Sequence, residues 1–246
     1  MNLLEHCIIP DWPAPLNVKA LQTTRNGGVS SAPYNSLNLG DHVGDAPLAV
    51  ARNRMLLEPL LPSEQVWLKQ VHGTEVANAC DADWDCWPEA DACVSSHTGA
   101  VCAVMTADCL PVLLCNEQGS VIGVAHAGWR GLCNGVIEQT VRAMNVQPDT
   151  LMAWLGPAIG AQAFEVGDEV RAAFIAKQPQ AVAAFAPNTP GKWLADIYRL
   201  ARLRLDALGI THIYGGGLCT HTDSERFFSY RRDGITGRMG TFIWLG

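Results

Sequence analysis

Two apolar runs in the middle of the 246-residue chain are each followed by side chains that can do chemistry. Val101–Met105 and Val121–Ala125 are rich in β-branched residues and too short for helices, which predicts two buried strands. Asp108 and Cys109 follow the first run, and His126 follows the second. If the two strands are adjacent, a thiolate and an imidazole lie side by side at the edge where open α/β sheets bind ligands. We therefore expect the active site at this edge.

A third candidate, His72, lies near the end of another predicted strand, 66–73. Because strand side chains alternate between faces, Val66, Leu68, Gln70 and His72 share one face, and we expect this row to point inward. Such a histidine is most often an ordinary packed side chain. It gains interest here because the thiol–imidazole pair lacks a third partner.

The three side chains together allow more than one kind of site. Two imidazoles and a thiolate suit catalytic zinc, which lowers the pKa of a water in its open position. With a weak axial methionine the same set describes a blue-copper site, and a metal-free Cys–His pair describes a hydrolase dyad. Spacing does not choose among them. The chain has only seven histidines and no His-x-His pair, which excludes a laccase-type copper complement.

Several arginines are candidates for holding an anion, since the planar guanidinium suits phosphate. Arg130 lies between an apolar strand and a helix predicted over 132–144, whose N-terminus offers free amide groups. Arg25 precedes an Asn-Gly-Gly turn, and Arg231 and Arg232 lie near the C-terminus. Surface arginines are usually just solvated, so Arg130 is the strongest of the four candidates. A metal next to an anion site predicts chemistry on a nucleoside or phosphorylated sugar.

The elements around these residues predict one α+β domain over residues 1–246, with no internal repeat and no long linker. Further strands are predicted for 3–9, 17–23, 151–155, 211–214 and 238–245. A helix is predicted from Asp45, as its cap, to Leu57, with Leu48, Ala51 and Met55 inward. Two more helices are predicted, one over 168–177 and one that begins after its cap, Asp196, and ends at Leu208. Loops are predicted over 24–30, 78–90, 181–191 and 227–234.

Charge and cysteine usage exclude several classes of protein. A net charge of −7 and a pI near 5.4 argue against binding nucleic acid or an anionic membrane. The sequence starts without the pattern of a signal peptide and holds no run long enough to span a membrane, so we expect a cytoplasmic protein. Nine cysteines with no Cys-x-x-Cys pair argue against a disulfide framework, a zinc ribbon and the zinc nucleobase-deaminase signature.

A set of ordered motifs adds a resemblance to these residues. The motifs are LKQVHG (68–73), TADCLPVLL (106–114), HAGWRG (126–131), LGPAIG…FEVG (155–167) and SYRRDG (229–234), with TTRNGGVS and YNSLNLG near the start. Together they resemble the laccase-domain, or YfiH-like, family over nearly the whole chain. The resemblance implies an α+β fold with mixed, curved sheets flanked by helices. It also implies zinc held by His72, Cys109 and His126, with copper as the alternative.

The resemblance also implies activities. Similar proteins are described as copper-dependent polyphenol oxidases, as editors of peptidoglycan precursors, and as purine nucleoside phosphorylases that act on inosine, guanosine, adenosine and methylthioadenosine and deaminate adenosine. The histidine count places phosphorolysis and deamination first. In this hypothesis Arg130 and the helix after it hold phosphate, with Arg25 or Arg231 as further clamps. Asp108 shuttles a proton or orients a ligand histidine, and the expected partners are nucleosides and phosphate.

Overall fold

The computed structural model describes residues 3–81 and 87–246, and over this part of the chain the fold is mixed α+β. The strands are β1 (Cys7–Ile8), β2 (Val18–Thr23), β3 (Gln65–Val66), β4 (Val76–Asn78), β5 (Ala92–Ser95), β6 (Val101–Thr106), β7 (Leu110–Asn116), β8 (Ile122–Ala127), β9 (Leu151–Leu155), β10 (Glu165–Gly167), β11 (Phe185–Pro187), β12 (Lys192–Ala195), β13 (His212–Gly215) and β14 (Met239–Leu245). The α-helices are α1 (Pro47–Met55), α2 (Trp129–Asn134), α3 (Val136–Met144), α4 (Asp168–Lys177), α5 (Ile197–Ala207) and α6 (Tyr230–Asp233). Short 3₁₀ helices span Leu3–His6, Glu58–Leu60, Ala79–Asp81, Pro148–Thr150 and Pro179–Ala184.

Two large sheets and one small sheet make up the strand framework. The first has the order β1-β2-β14-β6-β3, the second β13-β9-β7-β8-β5-β4, and the small one β10-β12-β11. Most neighbours are antiparallel, while β3 with β6, β4 with β5 and β9 with β13 run parallel. The predicted fold class, α+β with mixed sheets flanked by helices, is confirmed.

The two large sheets pack face to face, and strand alternation shows where each side chain goes. Along β6, Cys102 and Val104 join the apolar cluster between the sheets, while Val101, Ala103 and Met105 join a cluster on the outer face. Helices α3, α4 and α5 cover the outer face of the second sheet. Central strands are therefore covered on both faces, which explains their continuous apolar runs and confirms the predicted strands in both stretches.

The predicted adjacency of these two strands is wrong. Strand β6 lies in the first sheet and β8 in the second. The chain turns after β6 and enters β7, which pairs with β8 in antiparallel register. No strand is predicted from the sequence over 110–116. Strand β7 nevertheless fills this stretch, and it brings the residues that follow β6 next to β8.

The prediction for 66–73 is also wrong. Only the first residue of that segment, Val66, lies in β3, and His72 has a φ of 61°, a left-handed conformation that no strand continues through. The backbone N–H groups of Val71, His72 and Gly73 bond to the carboxylate of Asp91 instead of to a neighbouring strand. A side chain distant in sequence therefore holds residues 71–73 in this turn.

The first α-helix is shorter than predicted and turns a different face inward. Asp45 is not its cap: the helix starts after Ala46, and the Asp45 carboxylate accepts hydrogen bonds from Ser30, Asn38 and the Ala46 N–H. Its predicted inward residues are exposed, Leu48 by 86% and Met55 by 61% of their surface, and Ala51 likewise. The buried positions are Val50 and Asn53, since Asn53 anchors the helix through hydrogen bonds to the loop at 29–38.

Other predicted boundaries shift where local signals compete. The strand expected over 3–9 begins as a 3₁₀ helix, the helix expected over 132–144 starts at Trp129 and breaks at Gly135 (φ 104°), and 227–234 includes the one-turn α6. The expected loop 181–191 includes β11, and 78–90 includes the end of β4 and a 3₁₀ turn, while residues 82–86 lie outside the described residues. The strands at 17–23, 151–155, 211–214 and 238–245, and helices α4 and α5, are confirmed to within a few residues.

Candidate functional site

The β7–β8 hairpin places two of the candidate ligands. Cys109 directly precedes β7, His126 is the penultimate residue of β8, and Pro111 pairs with His126. Since the strands are antiparallel, the start of β7 and the end of β8 lie at the same end of the sheet. His126 continues the Ile122–Val124 row that faces the other sheet. Its side chain is buried, while Cys109 is half-buried.

Asp91 positions both histidines, and it is the functional residue that sequence reasoning missed. It lies just before β5, fully buried, where its backbone carbonyl accepts the His126 N–H. Its Oδ1 accepts the His72 N–H at 2.9 Å and lies 2.8 Å from His126 Nδ1. Because a carboxylate only accepts, Nδ1 carries the proton, which leaves Nε2 as the ligand atom. The available signal was a single carboxylate at the start of an apolar run.

The structure brings the three predicted ligands together. One nitrogen from His72, one from His126 and the Cys109 sulfur lie within 4.8 Å of one another, and the two rings meet edge to face at 4.8 Å. Two imidazoles and a thiolate are donors that zinc and copper both accept, so the residues fit a metal ion. This is the one such cluster found within residues 3–81 and 87–246.

Close packing around the ligands requires a glycine. A Cβ atom on Gly128 would lie 2.8 Å from His72 Cδ2 and 3.0 Å from the Cys109 sulfur. Both distances are far below normal contact, so any side chain at 128 would displace a ligand. Steric crowding by the candidate ligands therefore explains why the HAGWRG motif has a glycine at position 128.

Charge in the metal-free centre is stabilised by mutual attraction. Burial raises the pKa of Cys109, but the positive charge and hydrogen bond of His126, with a hydrogen bond from His72, outweigh it and bring the pKa to about 6. Burial lowers the pKa of His126, yet the Cys109 thiolate and Asp91 together raise it to about 9. The metal-free pair is therefore a thiolate and an imidazolium at neutral pH.

A cavity of about 230 Å³ borders Cys109. It is lined by Ala107, Asp108, Cys109, Trp129, Arg130, Ile159, Phe164, Ile197, Tyr230 and Arg231. The lining combines aromatic and aliphatic surface with two arginines and one carboxylate, as is common where small polar ligands bind. Cys109 belongs both to the metal-ligand cluster and to this wall.

The structure separates the four predicted arginines into two groups. Arg130 and Arg231 line the cavity, and the Arg130 guanidinium stacks on Trp129 at 4.5 Å. Arg25 does not line it and instead bonds to the carbonyls of Asn35 and Ser224. Arg232 bonds to three backbone carbonyls and the Asp233 carboxylate, so it supports the loop. Arg130 lies inside α2 and not ahead of the helix as expected.

Asp108 lines the cavity, but its contacts do not match the predicted role of orienting a ligand histidine. Its carboxylate accepts the Thr220 hydroxyl at 2.5 Å and the Arg231 N–H at 2.7 Å. It ties the segments at 220 and 231 to the start of β7, while the carboxylate bonded to a ligand histidine is that of Asp91. A part for Asp108 in proton transfer stays a prediction.

Comparison with known proteins identifies the family of this chain. A family model described as multi-copper polyphenol oxidoreductase laccase matches residues 19–246. The chain is 55% identical to the purine nucleoside phosphorylase YfiH of Escherichia coli strain K12 over 97% of this chain and 98% of that protein. It is 53% identical to a purine nucleoside phosphorylase of Pseudomonas aeruginosa, with the same coverage.

Solved structures agree as well. The Neisseria meningitidis protein NMB0706 matches with a TM-score of 0.96 and 53% identity, covering 98% of this chain and 99% of that one. YlmD from Geobacillus stearothermophilus matches with a TM-score of 0.87 and 32% identity, over 95% and 93% of the two chains. Among the described residues no helix is both long enough and apolar enough to cross a bilayer. With its sequence and fold matched almost end to end, the chain belongs to the laccase-like family of YfiH proteins.

Proposed function

We propose that this protein is a metal-containing purine nucleoside phosphorylase. The observation that supports this most directly is the double position of Cys109, which belongs to the ligand cluster and also lines the cavity with Arg130 and Arg231. Relatives at 53–55% identity are named for this activity. Substrates are purine nucleosides and phosphate, and we keep inosine, guanosine, adenosine and methylthioadenosine as the expected set in a cytoplasmic protein.

In phosphorolysis a phosphate oxygen bonds to ribose C1′ while the C1′–N9 bond breaks and its electron pair leaves with the purine. The proton that phosphate loses balances the one that the purine gains. In this proposal Arg130 and Arg231 hold the phosphate, because both residues line the cavity and guanidinium groups suit phosphate oxygens. Arg25 is held elsewhere by its own carbonyl bonds, so we do not retain it as a clamp.

The aromatic part of the wall suits the nucleoside. Trp129, Phe164 and Tyr230 present flat apolar surface beside the arginines. A purine can stack on such surface while its ribose carbon remains near the anion site, which favours in-line attack by a positioned phosphate. The fold thus supplies orientation and charge.

Adenosine deamination is a second candidate activity, favoured by the donor set. His72, Cys109 and His126 would hold zinc, with three protein ligands leaving one position open. Zinc in such a site supplies Lewis-acid activation of water near neutral pH. The chain's own contribution is to orient the two rings through Asp91 and to keep the sulfur ionised.

Copper oxidation and precursor hydrolysis remain the alternatives. The same three side chains are acceptable copper ligands, but none of the other five histidines joins the cluster found in the described residues; these are His6, His42, His97, His212 and His221. A hydrolase that uses a Cys–His dyad needs no phosphate and binds its substrate covalently. The requirement for phosphate therefore separates the proposal from both alternatives.

The test is to incubate purified protein with inosine or adenosine, with and without phosphate, and to follow the free bases and inosine by chromatography. Phosphate-dependent base release that Cys109→Ala abolishes is the expected result. Cys80→Ala is the matched control, because Cys80 also contacts an imidazole, His97 Nδ1 at 2.7 Å, but lies outside the cluster.

Equal base release from wild type and Cys109→Ala would indicate a contaminating host enzyme and contradict the proposal. Oxygen uptake with phenols would support the copper oxidase, and phosphate-independent hydrolysis of a peptidoglycan precursor would support the Cys–His hydrolase. Production of inosine from adenosine without phosphate tests deamination separately from base release.

A further inference from the structure

Asp91 is not one of the three candidate metal ligands, but it contacts two of them. We propose that Asp91 is the positioning residue of the metal centre: its one carboxylate fixes the ring of His126 and the backbone that presents His72. This inference rests on the proposed metal centre. It does not require the nucleoside to be the substrate.

The carboxylate of Asp91 has its full complement of partners. Oδ1 accepts from the His72 N–H at 2.9 Å and from His126 Nδ1 at 2.8 Å. Oδ2 accepts from the Val71 N–H at 3.1 Å and the Gly73 N–H at 2.6 Å. Four donors fill the four acceptor positions of a carboxylate that is fully buried. Nothing else in its surroundings is needed to satisfy its charge.

Each bond acts on a different part of the centre. The bond to His126 Nδ1 holds the ring orientation and leaves Nε2 free toward Cys109, with which His126 interacts electrostatically. The three backbone bonds hold residues 71–73 in a turn that includes the left-handed His72. That turn places His72 Nε2 at 3.8 Å from the Cys109 sulfur. The turn and the Nδ1 side of the ring are therefore held by one and the same carboxylate.

Asn at position 91 has nearly the shape of Asp but the wrong hydrogen-bonding pattern. Its amide offers one acceptor oxygen and places an NH₂ group against two donors, so two of the four bonds become donor–donor contacts. If the NH₂ group faces His126, Nδ1 must accept, and the ring proton then moves to Nε2, where a metal would bind. Asp91→Asn therefore disturbs the ligands with little change in volume.

The first experiment measures metal binding by the full-length, metal-free protein. Wild type, Asp91→Asn and Asp45→Asn are titrated with Co²⁺ against a chromophoric chelator, and the cobalt absorption spectrum is recorded. Loss of an outer-sphere partner typically weakens metal binding by about 10–100-fold. We expect Asp91→Asn to lose this much cobalt affinity and to show a changed cobalt absorption spectrum. Asp45→Asn is the matched control, since its carboxylate also accepts three loop hydrogen bonds but contacts no ligand.

A purely structural role would lower the stability of Asp91→Asn and leave the cobalt affinity and spectrum of its folded fraction unchanged. That result would overturn the inference. A wild-type protein that binds no Co²⁺ would overturn both the inference and the metal centre. Tight cobalt binding without phosphorolysis would count against the proposed function alone.

The second experiment needs no variant and stays informative if Asp91→Asn does not fold. Zinc-loaded wild-type protein labelled with ¹⁵N-histidine is studied by long-range ¹H–¹⁵N spectroscopy. The inference requires metal on Nε2 of His126 and a slowly exchanging proton on Nδ1. Coordination through Nδ1, or an Nδ1 proton that exchanges as fast as that of an exposed ring, would overturn it.

Discussion

His126 and His72 are equivalent as ligand types but differ in what holds them. His126 is buried in a strand whose register with β5 and β7 fixes its backbone. His72 is exposed, in a left-handed turn outside any strand, and depends on one carboxylate. The proposed metal centre therefore combines one candidate ligand built into the sheet with one presented by a loop. Stability and metal affinity should therefore respond differently at the two positions.

Removal of each ring gives the largest expected effects. His126→Ala leaves the Asp91 charge buried without its ring partner, which should lower the free energy of unfolding of the metal-free protein by about 3 kcal/mol. His72→Gly removes an exposed side chain and relieves a left-handed residue, which should raise it by about 1 kcal/mol. Both variants should lose more than about 100-fold in metal affinity, beyond what an outer-sphere partner contributes. Urea unfolding and chelator competition measure the two quantities.

Equal losses of stability in the two variants would show that the sheet and the turn hold their ligands in the same way. Metal binding retained in His72→Gly would remove His72 from the ligand set.

A substitution at Gly128 tests whether His72 and Cys109 need the close packing that the glycine allows. Gly128→Ala places a methyl group against both His72 and Cys109 and should weaken metal binding by about 10–100-fold, as for other disturbed ligand shells. Gly123→Ala, in the strand β8 that ends just before Gly128, is the matched control. Its Cβ would meet Thr140 and Met144 at 3.1 and 3.2 Å, away from the ligands. It should cost stability without affecting metal binding, and equal metal affinity in both variants would contradict the crowding argument.

The sequence predicts those elements whose conformation is determined by residues nearby in the chain. Strands β6 and β8 follow from apolar runs, and α5 from its pattern and from Asp196, which accepts the Arg199 N–H at 2.9 Å. Two of the three candidate ligands, Cys109 and His126, also follow, because they end or follow such runs and the structure brings them together. The turn at His72 does not, since its cause lies 19 residues away in Asp91. Strand β7 pairs with β8 and β9, although its second residue, Pro111, is of a type that argues against a central strand, so its sequence is a poor guide to its place in the sheet.

The thiolate of Cys109 tests the electrostatic side of the comparison. In metal-free protein, alkylation of Cys109 followed by mass spectrometry across a pH series should show a midpoint near pH 6, since its pKa is lowered to about 6. His126→Gln removes the main positive partner while burial remains, so the midpoint should rise by about 2 units. His212→Gln, at an exposed histidine, is the control and should leave it unchanged. A midpoint unmoved in His126→Gln would show that His126 does not stabilise the thiolate.

The same pair has a defined effect on stability. The raised pKa of His126 contributes stability that is full below its usual 6.5 and is lost as the pH rises through about 9. The lowered pKa of Cys109 contributes stability that is full above 9.0 and is lost as the pH falls through about 6. Between pH 6.5 and 9 the folded pair and the unfolded pair each hold one proton, so this pair adds no slope to the stability of the metal-free protein. Urea unfolding of wild type and His126→Gln at several pH values in this range checks that expectation.

Arg130 and Arg232 repeat the contrast between a side chain left free for a ligand and one used by the fold. Arg130 stacks on Trp129 at the cavity, and no hydrogen bond from its guanidinium to another described residue is found. Arg130→Ala should therefore raise the KM for phosphate about tenfold, as expected for one charge-assisted hydrogen bond of about 1.5 kcal/mol, with little change in stability. Arg232→Ala should instead lower the free energy of unfolding by about 1–3 kcal/mol, because it leaves buried carbonyls unpaired. If Arg232→Ala alters the KM for phosphate more than Arg130→Ala does, the anion site lies on the C-terminal loop and not at the start of α2.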